Sequence, residues 1–442
     1  MTQRRAAILP PAFSKERRMS IELIVFLAMV GSFMLGCFAA KLPVSVSMLT
    51  ASIVGALVAG LGIPVRHLVE GTFAYIDTIL TIATAMIFMK VVERSGALDA
   101  LSSLIIEKFH KVPALLLILV MLVIMFPGMI TGSSTASVLS AGSIMAPILI
   151  LMGIPKINTA AILAMGGLLG MIAPPTNIPA MIICGGIDMP YVGFMGPLAL
   201  LTFPLAFLFV LMLGLKYVRK MDYAKLEPRL DRQLRTKYGF RIYLPILVLL
   251  VLLLADSLIP ALPNVGTPVM FLISAAIGLL SGRKFNIFTT SKEAVKDVLP
   301  VMGILMGVGM FIQIMTLTGV RGLIVNTSIS LPGAWLYAAI AVAIPLFGAI
   351  SSFGSSSVLG VPFTLAMISG NPVLIVSALS LVAAVGDMMP PTALAGIFAA
   401  QVVQEPNYFK VLRKAVIPIL ILIAYAMVFI IFSKSIGGFL RY

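Results

Sequence analysis

The sequence has little charge, and this shortage already decides the class of protein. Only 11% of its 442 residues are charged, whereas 60% are hydrophobic, and the mean hydropathy is +1.12. Soluble globular domains are about 25% charged and about 45–50% apolar, so this chain has too little polar surface to enclose a soluble core. The composition excludes a soluble globular protein and indicates a multi-pass protein of the cell (inner) membrane.

Cysteine and histidine are also scarce. The two cysteines, Cys37 and Cys184, lie within apolar segments, which excludes a disulfide framework. Two histidines without clustered cysteines predict no metal centre and no cofactor. Walker, dinucleotide-binding, HExxH and nucleophile-elbow motifs are absent, so the sequence predicts neither an enzyme nor a pump that hydrolyses ATP itself.

The net charge of +15 does not indicate a nucleic-acid partner. The basic residues lie in short loops between apolar runs, and loops of this kind orient membrane proteins. One long polar stretch, 216–241, divides the chain almost in half and is predicted to be a cytoplasmic connection. The predicted division is a tail (1–19), membrane repeat 1 (20–218), a cytoplasmic linker (219–240), membrane repeat 2 (241–433) and a second tail (434–442).

A helix needs about 20 apolar residues to cross the bilayer. Uninterrupted spans are predicted at 20–39, 43–62, 72–90, 196–217, 242–260, 266–281, 298–318 and 409–433. Four more apolar runs are interrupted near their midpoints by Gly, Pro and Ser or Thr: 113–152, 158–192, 332–370 and 372–405. Broken helices at membrane depth are tolerated only where the freed backbone lines a cavity or is buried in protein, so we expect these four runs to carry the function.

Three landmarks occur in the same order in both halves of the chain. Their offsets are 223 residues from Gly96 to Gly319, 222 from Gly132 to Gly354, and 216 from Pro174 to Pro390. The sequence therefore predicts an all-α polytopic membrane protein built from two structural repeats. Segments 93–112 and 319–331 are predicted to be amphipathic arms that lead into the broken segments.

The positions of the basic residues predict that the two repeats are inverted. If 113–152 and 332–370 are re-entrant hairpins, the positive-inside rule places most basic residues on the cytoplasmic face. Residues 1–19 oppose this topology because they are basic and would lie outside. We hypothesise that the natural start is Met19; otherwise a short basic tail is translocated. An intact mass that includes residues 1–18 would contradict the hypothesis.

Each half is predicted to place a Gly-Ser turn and a Pro-Pro break near the middle of the membrane. Turn glycines permit positive φ, and the half-helices beside the breaks expose carbonyl groups for a cation or N–H groups for an anion. We expect Thr176 or Thr392 to cap the half-helix that restarts. The alternative is that these Ser and Pro residues only assist helix packing and kinking. The candidate ion and substrate site residues are Gly132, Ser133, Ser134, Thr135, Pro174, Pro175, Thr176, Asn177, Gly354, Ser355, Ser356, Ser357, Asp387, Pro390, Pro391 and Thr392.

Asp387 is the strongest single candidate, because an ionisable residue inside an apolar segment is by default a candidate functional residue. It could hold a sodium ion or a proton; alternatively, it is a helix-end carboxylate paired with a backbone amide. The amide oxygen of Asn177 also suits sodium, and Ala393 stands at the matching position of the second half.

The stretch 132–186, which begins GSSTASVLS and contains GMIAPPTN, resembles the large membrane subunit of tripartite ATP-independent periplasmic (TRAP) transporters, within the ion transporter superfamily. The resemblance implies an elevator-type, sodium-coupled permease that imports organic anions such as C4-dicarboxylates. It also implies two partners, a small membrane subunit and an extracytoplasmic substrate-binding protein, and it places the ion and substrate sites at the hairpin tips and Pro-Pro breaks.

This chain departs from the family pattern at both breaks, which read Pro-Pro-Thr-Asn and Pro-Pro-Thr-Ala. The alternative function is therefore a stand-alone sodium- or proton-coupled carboxylate or anion transporter of the same superfamily. A lipid-modifying membrane enzyme would need clustered His, Asp or Glu at one interface, which the sequence lacks. A channel fits duplicated closed hairpins less well than a carrier does.

Overall fold

The structure, a computed structural model, describes residues 15–219, 221, 223, 226–227, 232–258, 265–367 and 369–440. Most of the predicted N-terminal tail, part of the predicted linker and the last two residues lie outside these ranges. The described residues form helices and connecting loops, with no strand among them. The helices are α1 (Lys15–Phe38), α2 (Val44–Val58), α3 (Val65–Phe73), α4 (Ile76–Ser95), α5 (Ala97–Phe109), α6 (Pro113–Thr131), α7 (Ser134–Ser137), α8 (Ser143–Leu151), α9 (Lys156–Ile172), α10 (Ile178–Gly186), α11 (Met195–Val218), α12 (Gln233–Tyr238), α13 (Leu244–Leu258), α14 (Thr267–Ser281), α15 (Ile287–Leu317), α16 (Val320–Ser330), α17 (Gly333–Gly348), α18 (Ser352–Ser355), α19 (Val361–Ala366), α20 (Pro372–Ala384), α21 (Leu394–Val402), α22 (Tyr408–Ile431) and α23 (Ser433–Leu440).

Among the described residues, 7 helices are long and apolar enough to cross a membrane, and the bent pair α3–α4 would be an eighth. The predicted spans 43–62 and 266–281 contain the 15-residue helices α2 and α14, which are both shorter than the usual 20-residue span. The first prediction is too long, because positive φ at Gly60 and Gly62 follows the end of α2. The second agrees with α14 within one residue. The predicted span 72–90 is part of a helix pair bent by 42°.

All four interrupted runs are confirmed as broken helices. The breaks fall between α6 and α7, between α9 and α10, between α17 and α18, and between α20 and α21. The return arm of each hairpin contains one π-helical turn, at Val138–Gly142 and at Ser356–Gly360. π-turns inside helices often occur at functional sites, so the hairpins remain the regions of interest.

The two halves contain the same series of elements. Helices α2 to α11 correspond in order to α14 to α22, with the bent pair α3–α4 matched by the single helix α15. The first landmark is structurally equivalent in both halves, because Gly96 and Gly319 each have φ of 81° and each begins an arm helix, α5 or α16. The predicted arms are therefore confirmed as helices.

The two halves interdigitate, because helices of one half pack against helices of the other. Helix α2 packs on α15 and helix α14 packs on α4, so each contact joins one half to the other. The half-helices behave in the same way: α10 packs against the second hairpin, and α21 against the first. This packing between the halves brings both hairpins and both breaks together in one region.

Candidate ion and substrate site

The first hairpin turns at Gly132, as the sequence predicts. Gly132 ends α6 with φ of 64°, and a Cβ at this position would lie 2.5 Å from the side chain of Ile178. A side chain is thus excluded both by conformation and by space. Ser133 follows in an extended conformation, and its hydroxyl accepts a hydrogen bond from the backbone N–H of Ala136 at 3.2 Å. This cap fixes the start of the return helix.

The second hairpin turns four residues earlier than predicted. Ser351 is the N-cap, since its hydroxyl accepts a hydrogen bond from the N–H of Gly354 at 3.1 Å. Gly354 lies inside α18 and has no positive φ, so the predicted turn at Gly354 is wrong. The structural offset between the hairpins is 218 residues, which pairs Ser133 with Ser351 and Ser134 with Ser352. An alignment of SSTAS (133–137) with SSFGS (351–355) would have given this register from the sequence.

The corrected register changes the roles of the second serine cluster. The hydroxyls of Ser355, Ser356 and Ser357 donate hydrogen bonds to the carbonyl oxygens of Ile344 (2.6 Å), Ser352 (2.9 Å) and Gly354 (3.0 Å). A hydroxyl has one donor, so in this state all three hydroxyl protons are used within the hairpin. Ser137 of the first hairpin is the counterpart of Ser355, because it donates to Met125 O at 3.3 Å.

Asn177, and not Thr176, caps the helix that follows the first break. Asn177 Oδ1 accepts from the N–H of Ala180 at 2.9 Å, which makes Asn177 the N-cap of α10 and the prediction for Thr176 wrong. Asn177 Nδ2 donates to Ile172 O at 2.9 Å and to Ser380 Oγ at 2.8 Å, so this residue also joins the two halves. The Thr176 hydroxyl is fully buried and has no hydrogen-bond partner among the described residues.

The second break lacks a side-chain cap. Ala393, with φ of 39°, precedes α21, and Thr392 instead donates its hydroxyl to Ala349 O at 2.7 Å. The predicted cap at Thr392 is therefore wrong. Its backbone N–H also contacts Ala349 O at 3.4 Å, as that of Thr176 contacts Met129 O at 3.2 Å. Each break is thus attached to the hairpin of its own half.

Two tyrosines that the sequence did not single out support the breaks. The Tyr191 hydroxyl donates to Pro175 O at 3.2 Å, and the Tyr408 hydroxyl donates to Met388 O. The prolines themselves differ: Pro174 is buried, whereas Pro390 and Pro391 are exposed. Both Pro-Pro bonds are cis.

Asp387 lies beside the tips of both hairpins. Its side chain is 5% exposed, its carboxylate accepts a hydrogen bond from the hydroxyl of Ser134 in the first hairpin, and Ser352 of the second hairpin lies near it. These are the first residues after the caps of the first and second hairpin, and both are buried. The hydrogen-bond partner is a hydroxyl rather than a backbone amide, and no lysine or arginine of the described chain is paired with the carboxylate.

The structure thus brings Ser134 and Asp387 together and adds Ser352, which the sequence did not single out. It places Gly132, Ser133, Thr176 and Asn177 at the adjoining tip and break of the first half. Ser355, Ser356 and Ser357 instead bond within the second hairpin. A buried carboxylate with hydroxyl neighbours can bind a hard cation or hold a proton. The described residues contain no group of three or more His, Cys, Asp or Glu side chains that could hold a metal ion.

Comparisons with known proteins identify the family. The family model described as the DctM component of the tripartite ATP-independent periplasmic transporter matches residues 30–436. Among solved structures, the chain is similar to the YdaH transporter of Alcanivorax borkumensis, with a TM-score of 0.56 and 15% sequence identity over 82% of this chain and 86% of that chain. At this identity, the similarity concerns the fold alone. No curated protein matches the chain in sequence.

Proposed function

We propose, since this chain belongs to the DctM family of tripartite ATP-independent periplasmic transporters, that it is the membrane permease of a system importing small organic anions. C4-dicarboxylates are the proposed substrate class and sodium is the proposed coupling ion. The observation that carries the proposal is the meeting of both hairpin tips at one buried carboxylate, Asp387. Such a meeting point near the contact of two repeats is where secondary transporters bind their ions and substrates.

The cation would use oxygen atoms that already lie at this meeting point. Asp387 supplies a negative charge, Ser134 and Ser352 supply hydroxyl oxygens, and the unpartnered hydroxyl of Thr176 lies by the first hairpin tip. A buried polar group without a partner costs free energy. An ion bound there would satisfy the Thr176 hydroxyl, and it would also offset the charge of Asp387.

The anion would be held by backbone N–H groups at half-helix N-termini. Helices α10 and α21 begin at the two breaks and run for 9 residues each, and the N-terminus of a helix attracts negative charge. Neither the hairpin tips nor the breaks contain an arginine. We therefore propose that the coupled cation, and not a guanidinium, balances the substrate charge.

We further propose that the two repeats are inverted in the cell inner membrane, with the 219–240 linker in the cytoplasm. Transport would follow an elevator mechanism, in which the hairpins and broken helices move against the remaining helices. The family also supports two partners, a small membrane subunit and an extracytoplasmic substrate-binding protein.

Uptake into proteoliposomes tests the proposal. Radiolabelled C4-dicarboxylate uptake is measured for the chain alone and for the chain with its small subunit and binding protein, each with and without an inward sodium gradient. We expect uptake only from the complete system with the gradient. Uptake by the chain alone would favour the stand-alone carrier, and gradient-independent uptake by the complete system would contradict sodium coupling.

A further inference from the structure

A cavity of about 360 Å³ lies between the first arm, α5, and the return helix of the first hairpin, α8. Its volume is within the range of small-ligand sites, about 300–1,000 Å³. Helix α5 lines it with the polar residues Asp99, Ser102 and Ser103, and α8 lines it with the apolar residues Ile144, Pro147, Ile148 and Leu151. Residues three and four positions apart share one face of a helix. A polar face of one helix is therefore opposite an apolar face of the other.

The polar side of the cavity ends at two opposite charges. Asp99 Oδ2 lies 3.9 Å from Arg283 Nη1, which is too long for a hydrogen bond between these two atoms. The backbone of Arg283 is held at the corner between α4 and α5, because its N–H donates to Ser95 O at 3.0 Å. Both side chains are partly exposed, 34% for Asp99 and 49% for Arg283. A ligand that carries both a cation and an anion would match this pair of charges.

The two serines add hydrogen-bond acceptors beside the Asp99 carboxylate. Ser102 is buried and donates its hydroxyl proton to Leu98 O at 2.7 Å, so its oxygen can only accept a hydrogen bond from a ligand. Ser103 is half-buried and presents its hydroxyl to the same cavity. A primary ammonium group has three N–H donors and no acceptor. It can therefore use a carboxylate and two hydroxyl oxygens, whereas a trimethylated ammonium group can donate to none of them.

We propose that this cavity binds the headgroup of a phosphatidylethanolamine molecule from the surrounding bilayer. The ammonium group would contact Asp99 and the two serines, and the phosphate would pair with the guanidinium of Arg283. An acyl chain would cover the apolar face of α8. Helix α5 lies at the membrane surface in this proposal, because its other end contacts the polar segment between the halves, from Glu107 to Arg235 at 2.6 Å. The site uses none of the residues of the candidate ion and substrate site.

Lipid binding to the full chain, purified and delipidated in detergent, tests this site. The chain is titrated separately with phosphatidylethanolamine, phosphatidylcholine and phosphatidylglycerol of the same acyl chains, and bound lipid is counted by native mass spectrometry. We expect one phosphatidylethanolamine to bind about tenfold more tightly than either of the others. Phosphatidylcholine keeps the charge but lacks the N–H donors, and phosphatidylglycerol lacks the ammonium group. Equal affinity for all three lipids would overturn the proposal.

Variants of the polar face locate the bound lipid. Asp99→Asn should weaken phosphatidylethanolamine binding about tenfold, as the loss of hydrogen bonds to a charged group predicts. Asp77→Asn is the matched control and should bind as the parent does, because both acids lie in the first turn of a helix and only Asp99 lines the cavity. Ser103→Leu should also weaken binding, because its larger side chain fills the cavity. If Asp99→Asn does not yield folded protein, Ser103→Leu decides alone; parent-like binding by the folded variants would overturn the site.

Competition with glycerophosphoethanolamine distinguishes a lipid from a soluble compound with the same headgroup. We expect this compound to compete at least about a hundredfold more weakly than the lipid, because it has no acyl chain to bury against α8. Equal competition would overturn the assignment to a membrane lipid. The measurement involves no transport, so the predicted binding pattern in a protein that takes up no dicarboxylate would support this site and reject only the proposed substrate.

Discussion

Glycine pairs set how closely the hairpin helices and broken helices approach in both halves. In the first half, a Cβ at Gly128 would lie 2.9 Å from the carbonyl carbon of Gly170. In the second half, Gly348 and Gly386 are closer still, because a Cβ at Gly386 would lie 2.1 Å from the Gly348 backbone. Small residues let helix backbones approach in membranes, and here they bring each break to its own hairpin.

Gly386→Ala should therefore displace the turn that carries Asp387. The added methyl meets backbone atoms, which cannot rotate away, and overpacking of this kind costs about 1–3 kcal/mol. We expect a lower unfolding temperature in detergent and loss of uptake by the complete system. Gly322→Ala is the control, because nothing lies within 4 Å of a Cβ there and alanine favours the helix. Wild-type stability of Gly386→Ala would contradict the close crossing.

Ser352→Ala should reduce sodium-driven uptake about tenfold while leaving the unfolding temperature nearly unchanged. It removes a hydroxyl oxygen near Asp387 that the proposed cation site would use, and a tenfold loss corresponds to about 1.4 kcal/mol of ion binding. The sequence pattern alone would have assigned this role to Ser356, whose hydroxyl bonds to Ser352 O. Thr364→Val, in the same hairpin, serves as the control for loss of a buried hydroxyl. Full uptake by Ser352→Ala would remove this serine from the site.

At the scale of elements, the first arm is attached by ion pairs to the segment that connects the two halves. Glu107 of α5 contacts Arg235 at 2.6 Å and Arg232 at 3.6 Å, both near the start of α12. The neighbouring end of α4 makes two similar contacts with α15, from Lys90 to Asp297 at 2.9 Å and from Arg94 to Glu293 at 2.6 Å. The second arm, α16, makes no ion pair among the described residues, so the two arms are anchored differently.

The Glu107 contact predicts a pH-dependent contribution to stability. The Arg235 guanidinium, 2.6 Å from the carboxylate, lowers the pKa of Glu107 below its ordinary value. A lowered pKa means that the stabilisation is complete above the ordinary glutamate pKa of about 4.3 and is lost as the pH falls through the lowered value. Glu107→Gln should therefore lower the unfolding temperature at pH 7, by the equivalent of less than about 1 kcal/mol for a partly exposed pair. The difference from the parent should shrink as the pH falls below 4, as measured by thermal unfolding across this range.

Glu70→Gln is the matched control, since Glu70 pairs with Arg66 of the same helix at 2.8 Å and its contact with α15 is a hydrogen bond of 3.5 Å from the uncharged Gln313. It should change stability less than Glu107→Gln does. A Glu107→Gln difference that persists unchanged at acid pH would mean that the effect does not come from the charge.

For the whole molecule, the sequence predicts those structural features that leave a local pattern of residues in both halves. The apolar runs could be predicted from hydropathy along the whole chain, and the four breaks, the arms and the family from residues 86–186 and their counterparts. The second hairpin turn could not, because GSSS resembles GSST while the chain actually turns where Ser351 can cap α18 and Gly348 can meet Gly386. The pairing of Ser134 with Asp387 spans 253 residues, and no local pattern reports such a contact. The length of α2 was missed for a different reason, since loop glycines rather than hydropathy end this helix.

The last prediction concerns the contact between α2 of the first half and α15 of the second half. Helices α2 and α15 approach closely, and a Cβ at Gly303 would lie 3.4 Å from the Cβ of Ser45. Disulfides need Cβ atoms about 3.5–4.5 Å apart, so Ser45→Cys with Gly303→Cys should form a cross-link with little backbone movement. If the hairpins and broken helices move against the remaining helices, this cross-link lies within the stationary part, and the oxidised protein should keep at least half of its uptake. Each single cysteine variant, oxidised in the same way, is the control. Uptake that disappears on oxidation and returns with a reductant would show that α2 and α15 move relative to each other, which the proposed elevator mechanism forbids.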